Sequence, residues 1–434
     1  MILRERFNYS DTFDRKSSRA LEAALYTAPA YRSWQALDPG SGAPVDARYD
    51  AIPELTKGII REHFPAGLAP DRADIREGLR NGEIEYTYTS GTTGERVINI
   101  WDQSWWDAGE LASRGLNANT KGLPYPCKTA KLASSLNVGV SCEEDLPLSS
   151  RLFGDTLYLN EKINLIQWQP RHFKRFISEL NDFQPVIIEA NPSLLARIAY
   201  FAMDEDIELY SPSAIIFTYE FESAIHLAAI RSAFSSPLIS SYGTTETGFV
   251  LQSCEYGSLH QNTRFCRIDF HPLKDEYGGP ELGRLLVTTF DNRWNIVVKF
   301  DTGDLARLAP AGVCACGIDE GLIAQRIEGR VSNSTFTTNG GLVTTYALDS
   351  ALSPIPGIRD YHMEQNSPNE YALSLMVKGD QGSILRKTRS AMETLYGADG
   401  VFDIGVSENI LPGPAGKFRR SQTNFDFDVR GLFL

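Results

Sequence analysis

Four hydroxyl side chains and two glycines fill six consecutive positions of this chain, Thr89-Ser90-Gly91-Thr92-Thr93-Gly94, and a cation, Arg96, follows closely. Glycines let a loop take left-handed dihedrals and bring backbone N–H groups near an anion, while small hydroxyls add donors without bulk. That chemistry suits a polyphosphate; for the loop alone, a polar hairpin turn is the competing reading. It is not a P-loop, because no Gly-Lys-Ser/Thr follows. Four further stretches set charged or hydroxyl groups beside glycine. Ser241-Tyr242-Gly243-Thr244-Thr245-Glu246-Thr247-Gly248 ends a strand with an aromatic, a close-approach glycine, two hydroxyls and a carboxylate. Phe300-Asp301-Thr302-Gly303-Asp304-Leu305 reads as a strand ending in a tight turn that presents Asp304. Arg326-Ile327-Glu328-Gly329-Arg330 is basic at both ends, and Pro412-Gly413-Pro414-Ala415-Gly416-Lys417 offers a lysine on a flexible loop.

The elements that must hold these groups follow from periodicity. Strand patterns at 84–88 and 97–101 flank the hydroxyl/glycine loop. A helix is predicted over 173–180 and a buried strand over 185–189. Asn191-Pro192-Ser193 then opens a helix over 194–203, with proline near its first turn. A strand over 213–218, a helix over 223–234 and a strand over 238–242 complete the βαβ rhythm of a parallel sheet covered by helices. Residues 283–289 and 296–300 read as strands of a smaller β region. Beyond Arg330 the elements shorten: helices over 345–352 and 383–396, and a half-exposed strand over 371–377. The expected fold is α/β. A large N-terminal domain, residues 1–330, has mostly parallel sheets plus a small β region, and residues 331–434 form a small α+β domain.

At 434 residues the chain is long enough for a large core. Lysine and arginine number 42 against 55 acidic residues, a formal net charge of −13, which argues against broad binding to nucleic acid or anionic membranes. No tract is long enough to cross a bilayer, and the opening residues lack the apolar run of a signal peptide, so the cytoplasm is the expected compartment. Six cysteines in such a chain are expected to be reduced, and any clustering of them points to metal. Cys254 and His260 follow the Tyr242 motif, and Cys314 and Cys316 follow Asp304, so motifs converging on one site would bring these four together. Three thiolates and an imidazole make a closed tetrahedral set, the pattern of a structural zinc. Cys266 is an alternative to Cys254, and four unconnected residues is the competing reading. Cys127 and Cys142 read as ordinary buried thiols.

In this order the five motifs resemble the acyl- and aryl-adenylate-forming superfamily of acyl-CoA ligases, luciferases and peptide-synthetase adenylation domains. Chain length and the stretches 52–65 and 183–193 look most like its short phenylacetate–CoA ligase-like branch. The resemblance spans roughly residues 50–420. It implies ATP- and Mg²⁺-dependent activation of a small, aromatic or otherwise compact carboxylic acid as its adenylate, with pyrophosphate released. It further implies transfer to coenzyme A, with an amine or a carrier-protein thiol as alternative acceptors, and a C-terminal domain that rotates on a hinge. A non-catalytic nucleotide-binding relative is a third reading, and a homodimer is left open.

Carried over residue by residue, the resemblance places Thr89, Ser90, Gly91, Thr92, Thr93, Gly94 and Arg96 on the β- and γ-phosphates. Tyr242 would lie beside the adenine, with Glu220, Gly243 and Thr244 in the same nucleotide site. Thr245 would meet the α-phosphate, Glu246 the Mg²⁺, Asp304 both ribose hydroxyls and Arg330 ribose or phosphate. Lys417 would bridge the reacting carboxylate and the α-phosphate. Asn137, Gly139, Asn191, Tyr219 and Ser240 are candidates for the acid pocket. Two features depart from the pattern: Ser332 and Asn333 stand at the hinge where relatives carry an acid, and Tyr219 stands where they often carry glycine.

Overall fold

The structure is a computed structural model that describes residues 6–88, 97–133, 146–160, 168–310, 312–413 and 416–434. Strands β1 (Glu85–Tyr88) and β2 (Ile98–Trp101) pair antiparallel, with Tyr88 opposite Ile98, so the hydroxyl/glycine motif connects the two arms of a hairpin. Twelve strands then build one continuous sheet. In chain order they are β3 (Thr129–Leu132), β4 (Leu152–Phe153), β5 (Thr156–Tyr158), β6 (Ile187–Ala190), β7 (Ala214–Phe217) and β8 (Leu238–Thr244), then β9 (Gly248–Ser253), β10 (Leu259–Gln261), β11 (Cys266–Pro272), β12 (Leu282–Thr289), β13 (Phe300–Leu308) and β14 (Ile323–Arg330). Their spatial order is β11-β12-β13-β14-β10-β9-β8-β7-β6-β3-β5-β4.

The change of character falls at β8, which pairs parallel with β7 and antiparallel with β9. On the parallel side, the apolar runs of β6 and β7 are buried on both faces, as strands covered by helices must be. Helices Pro170–Phe183 and Pro192–Asp204 cover one face through Phe176, Leu180, Leu195 and Ile198. Ile410 and Phe418, from far along the chain, pack into the same core. On the antiparallel side, β9 to β14 enclose a core of Val250, Leu285, Val287 and Ala306. The expected small β region is therefore the antiparallel continuation of the main sheet. Residues 296–298 differ from expectation: they lie outside any strand, buried under the N-terminal helix Asp11–Thr27 and its following turn. Ile296 N–H donates to Leu68 and Val297 C=O accepts from Thr289, so these backbone groups are satisfied without a ladder.

After a turn at Val331–Asn333, a hairpin of β15 (Thr335–Phe336) and β16 (Leu342–Val343) leads into helix Thr345–Leu352. β17 (Ile358–Ser367), β18 (Glu370–Val377), β19 (Val401–Val406) and β20 (Ser421–Thr423) form a separate sheet in the order β19-β18-β17-β20. Helix Gln381–Tyr396 buries Ile384, Met392 and Tyr396 against it, completing a second core. The tail returns to the long sheet: Phe433 bridges Leu273, Lys274 N–H donates to Leu432, and the Arg284 guanidinium lies 4.6 Å from the Phe433 ring centre. Among the described residues, no helix is long and apolar enough to cross a membrane.

Candidate functional site

β8 delivers a row of functional side chains and then turns sharply. Gly243 sits where a Cβ would come within 2.1 Å of the Gly248 carbonyl, and Gly248 has φ +68°, so both glycines are required for the β8–β9 hairpin to close. Tyr242, just before, donates its hydroxyl to Asp304 Oδ2 at 3.0 Å. Burial, and then the Asp304 charge, push the Tyr242 phenol well above its ordinary value, so it stays a donor. Asp304 is not on a turn as its sequence suggested. It lies within β13, directly opposite Arg330 of β14, whose Nε is 3.2 Å from Asp304 Oδ1. Gly303, at φ +70°, misled the reading: it marks an irregularity inside the strand, not its end.

Glu246 is buried, and its Oε1 has no hydrogen-bond partner among the described residues. The nearest cation is Lys57 Nζ at 3.9 Å, on the short helix Lys57–His63. Sequence reasoning missed Lys57, because a single lysine on an amphipathic turn carries no signal. Lys417 follows a turn in which Gly413 N–H donates to the Lys417 carbonyl. Burial, reinforced by Arg330, lowers the Lys417 ammonium to about 8, although Asp304, Glu220 and Glu246 pull it upward.

These groups share one cavity of about 320 Å³. It is lined by Tyr219, Glu220, Ser240, Tyr242, Gly243, Thr244, Thr245, Glu246, Asp304, Arg330 and Lys417, with Lys57 and Glu222 among the lining residues not foreseen. The candidates Thr89, Ser90, Gly91, Thr92, Thr93, Gly94, Arg96, Asn137 and Gly139 lie outside the described residues, as does Cys142. Asn191 is not part of the lining; it caps helix Pro192–Asp204, accepting from Ser193 and Leu194 N–H. Tyr219 holds φ +79°, unusual for a bulky residue, and its hydroxyl reaches Glu189 at 2.6 Å. Glu189 in turn pairs with Lys131 at 3.0 Å. Both Glu220 oxygens are engaged, one by the Ser193 hydroxyl and the other by Phe418 N–H at 3.1 Å.

That last contact ties the lysine loop to the long sheet, and a buried charge cluster reinforces it. Asp360 of β17 accepts from Arg420 and from Arg197 at 3.2 Å, and His226 Nε2 stands 3.5 Å away. Arg420 also donates to the Ser193 hydroxyl, and Arg197 to the Ile410 carbonyl at 2.5 Å. Burial alone would raise the Asp360 carboxyl, but Arg420, His226 and Arg197 outweigh it and hold it well below the usual range.

A second cluster lies where β9, β10 and the loop before β14 meet. Ligand atoms of Cys254, His260, Cys314 and Cys316 all fall within 4.8 Å of one another. Cys254 Sγ and Cys314 Sγ are 3.7 Å apart, and Cys316 Sγ is 3.3 Å from His260 Nε2. A tetrahedral zinc with Zn–S near 2.3 Å would set its sulfurs about 3.8 Å apart, so the donor set and spacing fit that ion. Two matching turns hold the thiols: Gly257 N–H donates to Cys254 and Gly317 N–H to Cys314, each glycine at positive φ. Cys266 stands apart, hydrogen-bonded to the carbonyls of Val250 and Asn262, and Cys127 is a buried thiol elsewhere.

No family model matches the chain. It is 23% identical over 393 residues to Protein CapK of Staphylococcus aureus, covering 87% of this chain and 81% of that protein. Among solved structures it is similar to a 2-hydroxyisobutyryl-CoA ligase in the postadenylation state in complex with 2-HIB-AMP, with a TM-score of 0.71 at 16% identity over 97% of this chain and 91% of that one. The same ligase in the thioesterification state, with 2-HIB-AMP and CoA, gives 0.56 at 17% identity over 97% and 92%. The amide bond synthetase McbA from Marinactinospora thermotolerans gives 0.52 at 15% identity over 78% and 68%. The chain has the fold of adenylate-forming ligases.

Asp360 is the carboxylate that the buried Arg420 and Arg197 share. Asp360→Asn leaves two buried guanidiniums short of a counter-charge, and the expected loss is about 3–5 kcal/mol of stability, read by urea denaturation.

Proposed function

We propose that this protein activates a small, compact carboxylic acid, aromatic or otherwise, as its acyl-adenylate, releasing pyrophosphate from ATP, and then passes the acyl group to coenzyme A. The observation that carries this reading is the placement of Lys417 in one cavity with Glu246, Arg330 and the Tyr242–Asp304 pair. Carboxylate and ATP are both anionic, so the site must neutralise charge and enforce approach. Asp304 gives one oxygen to Tyr242 and the other to Arg330, yet each retains a lone pair for a ribose hydroxyl. Thr245 and Arg330 stand for the α-phosphate. A carboxylate oxygen attacks the α-phosphorus, the bond to the bridging oxygen breaks, and pyrophosphate leaves with the electron pair. Lys417 stabilises the charge that develops between the two reactants.

Glu246 fits a hard cation, since its buried Oε1 lacks a hydrogen bond and carboxylate oxygen is the right donor. Magnesium bound there with ATP would offset phosphate charge, and Lys57 adds a cation beside it. The four-ligand Cys254, His260, Cys314, Cys316 set leaves no open position, so its zinc is structural in this reading. Transfer to the second nucleophile calls for residues 331–434 to turn as a unit and withdraw Lys417.

The test of the whole reading is pyrophosphate release across a panel of aryl, arylacetic and short acyl acids, with and without coenzyme A. Acid-dependent release with thioester formed is expected. Release without thioester would move the acceptor to an amine or a carrier-protein thiol, and no release with any acid alongside intact ATP binding would favour a non-catalytic relative.

Lys417→Ala should lower acid-dependent pyrophosphate release about 100-fold or more while leaving ATP affinity within about threefold. Since Lys417 acts as a cation, kcat/KM for adenylation should fall as pH rises through about 8, where the free site loses that charge. Lys417→Arg should move this limb upward, and a limb unchanged in the arginine variant would assign it to another group.

Elemental analysis should find one zinc per chain. Cys314→Ser should lose it and lower Tm by several degrees, whereas a metal-free wild-type chain with unchanged Tm would remove the zinc assignment.

A further inference from the structure

One carboxyl in the cavity has no part in the chemistry above. Glu222 follows β7 and lines the same cavity as Tyr242 and Asp304. Its Oε2 accepts the Ser240 hydroxyl at 2.5 Å. The one charged group acting on it among the described residues is Arg231 of helix Ala224–Ala233, and from β8 only the neutral Ser240 meets it. Burial dominates and pushes the Glu222 carboxyl up to about 7, against the weaker pull of Ser240 and Arg231. Near neutrality it therefore presents both a hydroxyl donor and a carbonyl acceptor.

Position gives this carboxyl a role. Alternate residues of a strand face the same way, about 7 Å apart. Along β8 and its turn the chain sets out the Ser240–Glu222 pair, then Tyr242 with Asp304, then Glu246. A nucleotide has the same order of parts: base, ribose, phosphates. We propose that Glu222, held by Ser240, reads the base of the nucleotide, and that its protonated form selects adenine over guanine; this rests on the nucleotide site proposed above.

The complementarity is one of donors and acceptors. Adenine offers an acceptor at N1 beside a donor at its 6-amino group, and a neutral carboxyl supplies the opposite pair. Guanine offers two adjacent donors, N1–H and its 2-amino group, which suit an ionised carboxylate instead. A buried carboxyl facing a base edge in the wrong protonation state leaves polar groups unpaired, which is how such pockets discriminate. Selectivity for adenine should therefore be strongest below about pH 7 and weaken as Glu222 ionises.

The test is direct calorimetric binding of Mg-ATP and Mg-GTP, with no acid present, from about pH 6 to about pH 9. Taking the ratio of the two affinities cancels the titration of the triphosphate and of Lys417, which both nucleotides share. In the wild type the preference for ATP should fall by up to about tenfold per pH unit above about 7. Glu222→Gln presents the adenine-complementary pair at every pH, so its preference should stay flat across the range. Glu222→Ala should lose about tenfold or more of the preference at pH 6. Wild-type preference in the alanine variant, or a wild-type pH curve in the glutamine variant, would overturn the assignment while leaving the adenylation reading intact. A wild-type protein that binds no ATP would overturn both.

Discussion

Buried charge pairs run across the seam between the long sheet and the chain beyond Val331. Arg197, Ser193 and His226 reach from one side, and Asp360 and Arg420 meet them from the other. Asp349 crosses the same seam to cap helix Ala224–Ala233, accepting from the Ser223 hydroxyl at 2.5 Å and from Ala224 N–H at 2.7 Å. Buried charges are stable only when each finds its partner in good geometry, so these pairs define one relative placement of the two sheets. Lys417 inherits its position from that placement, because the adjoining Phe418 N–H is fixed on Glu220. Ile410 and Phe418 pin this seam into the parallel core, and Ile225 of helix Ala224–Ala233 enters the core of the smaller sheet. A seam built this way parts more readily than an apolar one, since each polar group can return to water.

The cavity lies where it does because β8 serves two kinds of sheet. Its parallel edge continues the helix-covered half, and its antiparallel edge starts the half that brings Asp304 and Arg330 alongside. Ligand crevices in α/β sheets form beyond the carboxyl ends of strands at such changes in strand order. Glu189, Tyr219 and Tyr242 all come from the C-terminal ends of parallel strands or the residues just past them. Tyr219 sustains its left-handed backbone because Glu189 grips its hydroxyl and Lys131 grips Glu189. A strained aromatic anchored to a buried ion pair is a rigid wall of the cavity.

Much of this was legible in the chain. Ile187-Ile188 and Ile215-Ile216 announced buried strands, Asn191-Pro192 announced a helix start, and Tyr242, Glu246, Asp304, Arg330 and Lys417, from four of the five motifs, line one cavity. Pairwise facts were not legible. Asp304 read as a turn residue because Gly303 looks like a terminator, and only the partner strand shows that Arg330 stands opposite. β17 escaped notice because a register irregularity between Ile358 and Asp360 puts Ile358 out of step with the inward Tyr361 and Met363, and a polar residue, Gln365, takes the next inward position. Lys57 and Glu222 carry no local signal at all, since a lone lysine or glutamate looks alike whether it faces solvent or a cavity. Sequence favoured Cys254 over its alternative Cys266, and it is the turn closed by Gly257 that brings Cys254 beside Cys314.

The tail adds a geometric limit on how far the smaller sheet can turn. Besides the seam, the chain beyond Val331 is joined to the long sheet through the covalent turn at Val331–Asn333 and again where Leu432 and Phe433 meet Leu273 and Lys274. Six residues, 424–429, separate β20 from the tail's last turn at Arg430–Leu432. Fully extended, they and their flanking bonds reach about 24 Å. Phe425 and Phe427 shorten that reach further while they pack against Phe336. A reorientation carrying Thr423 toward this radius must therefore release Phe336 from the two rings, and one carrying it beyond must draw Phe433 out from under Arg284. The tail's contacts are largely apolar, so they add to the charge pairs a second restraint on the smaller sheet that holds whatever the protonation state of the seam.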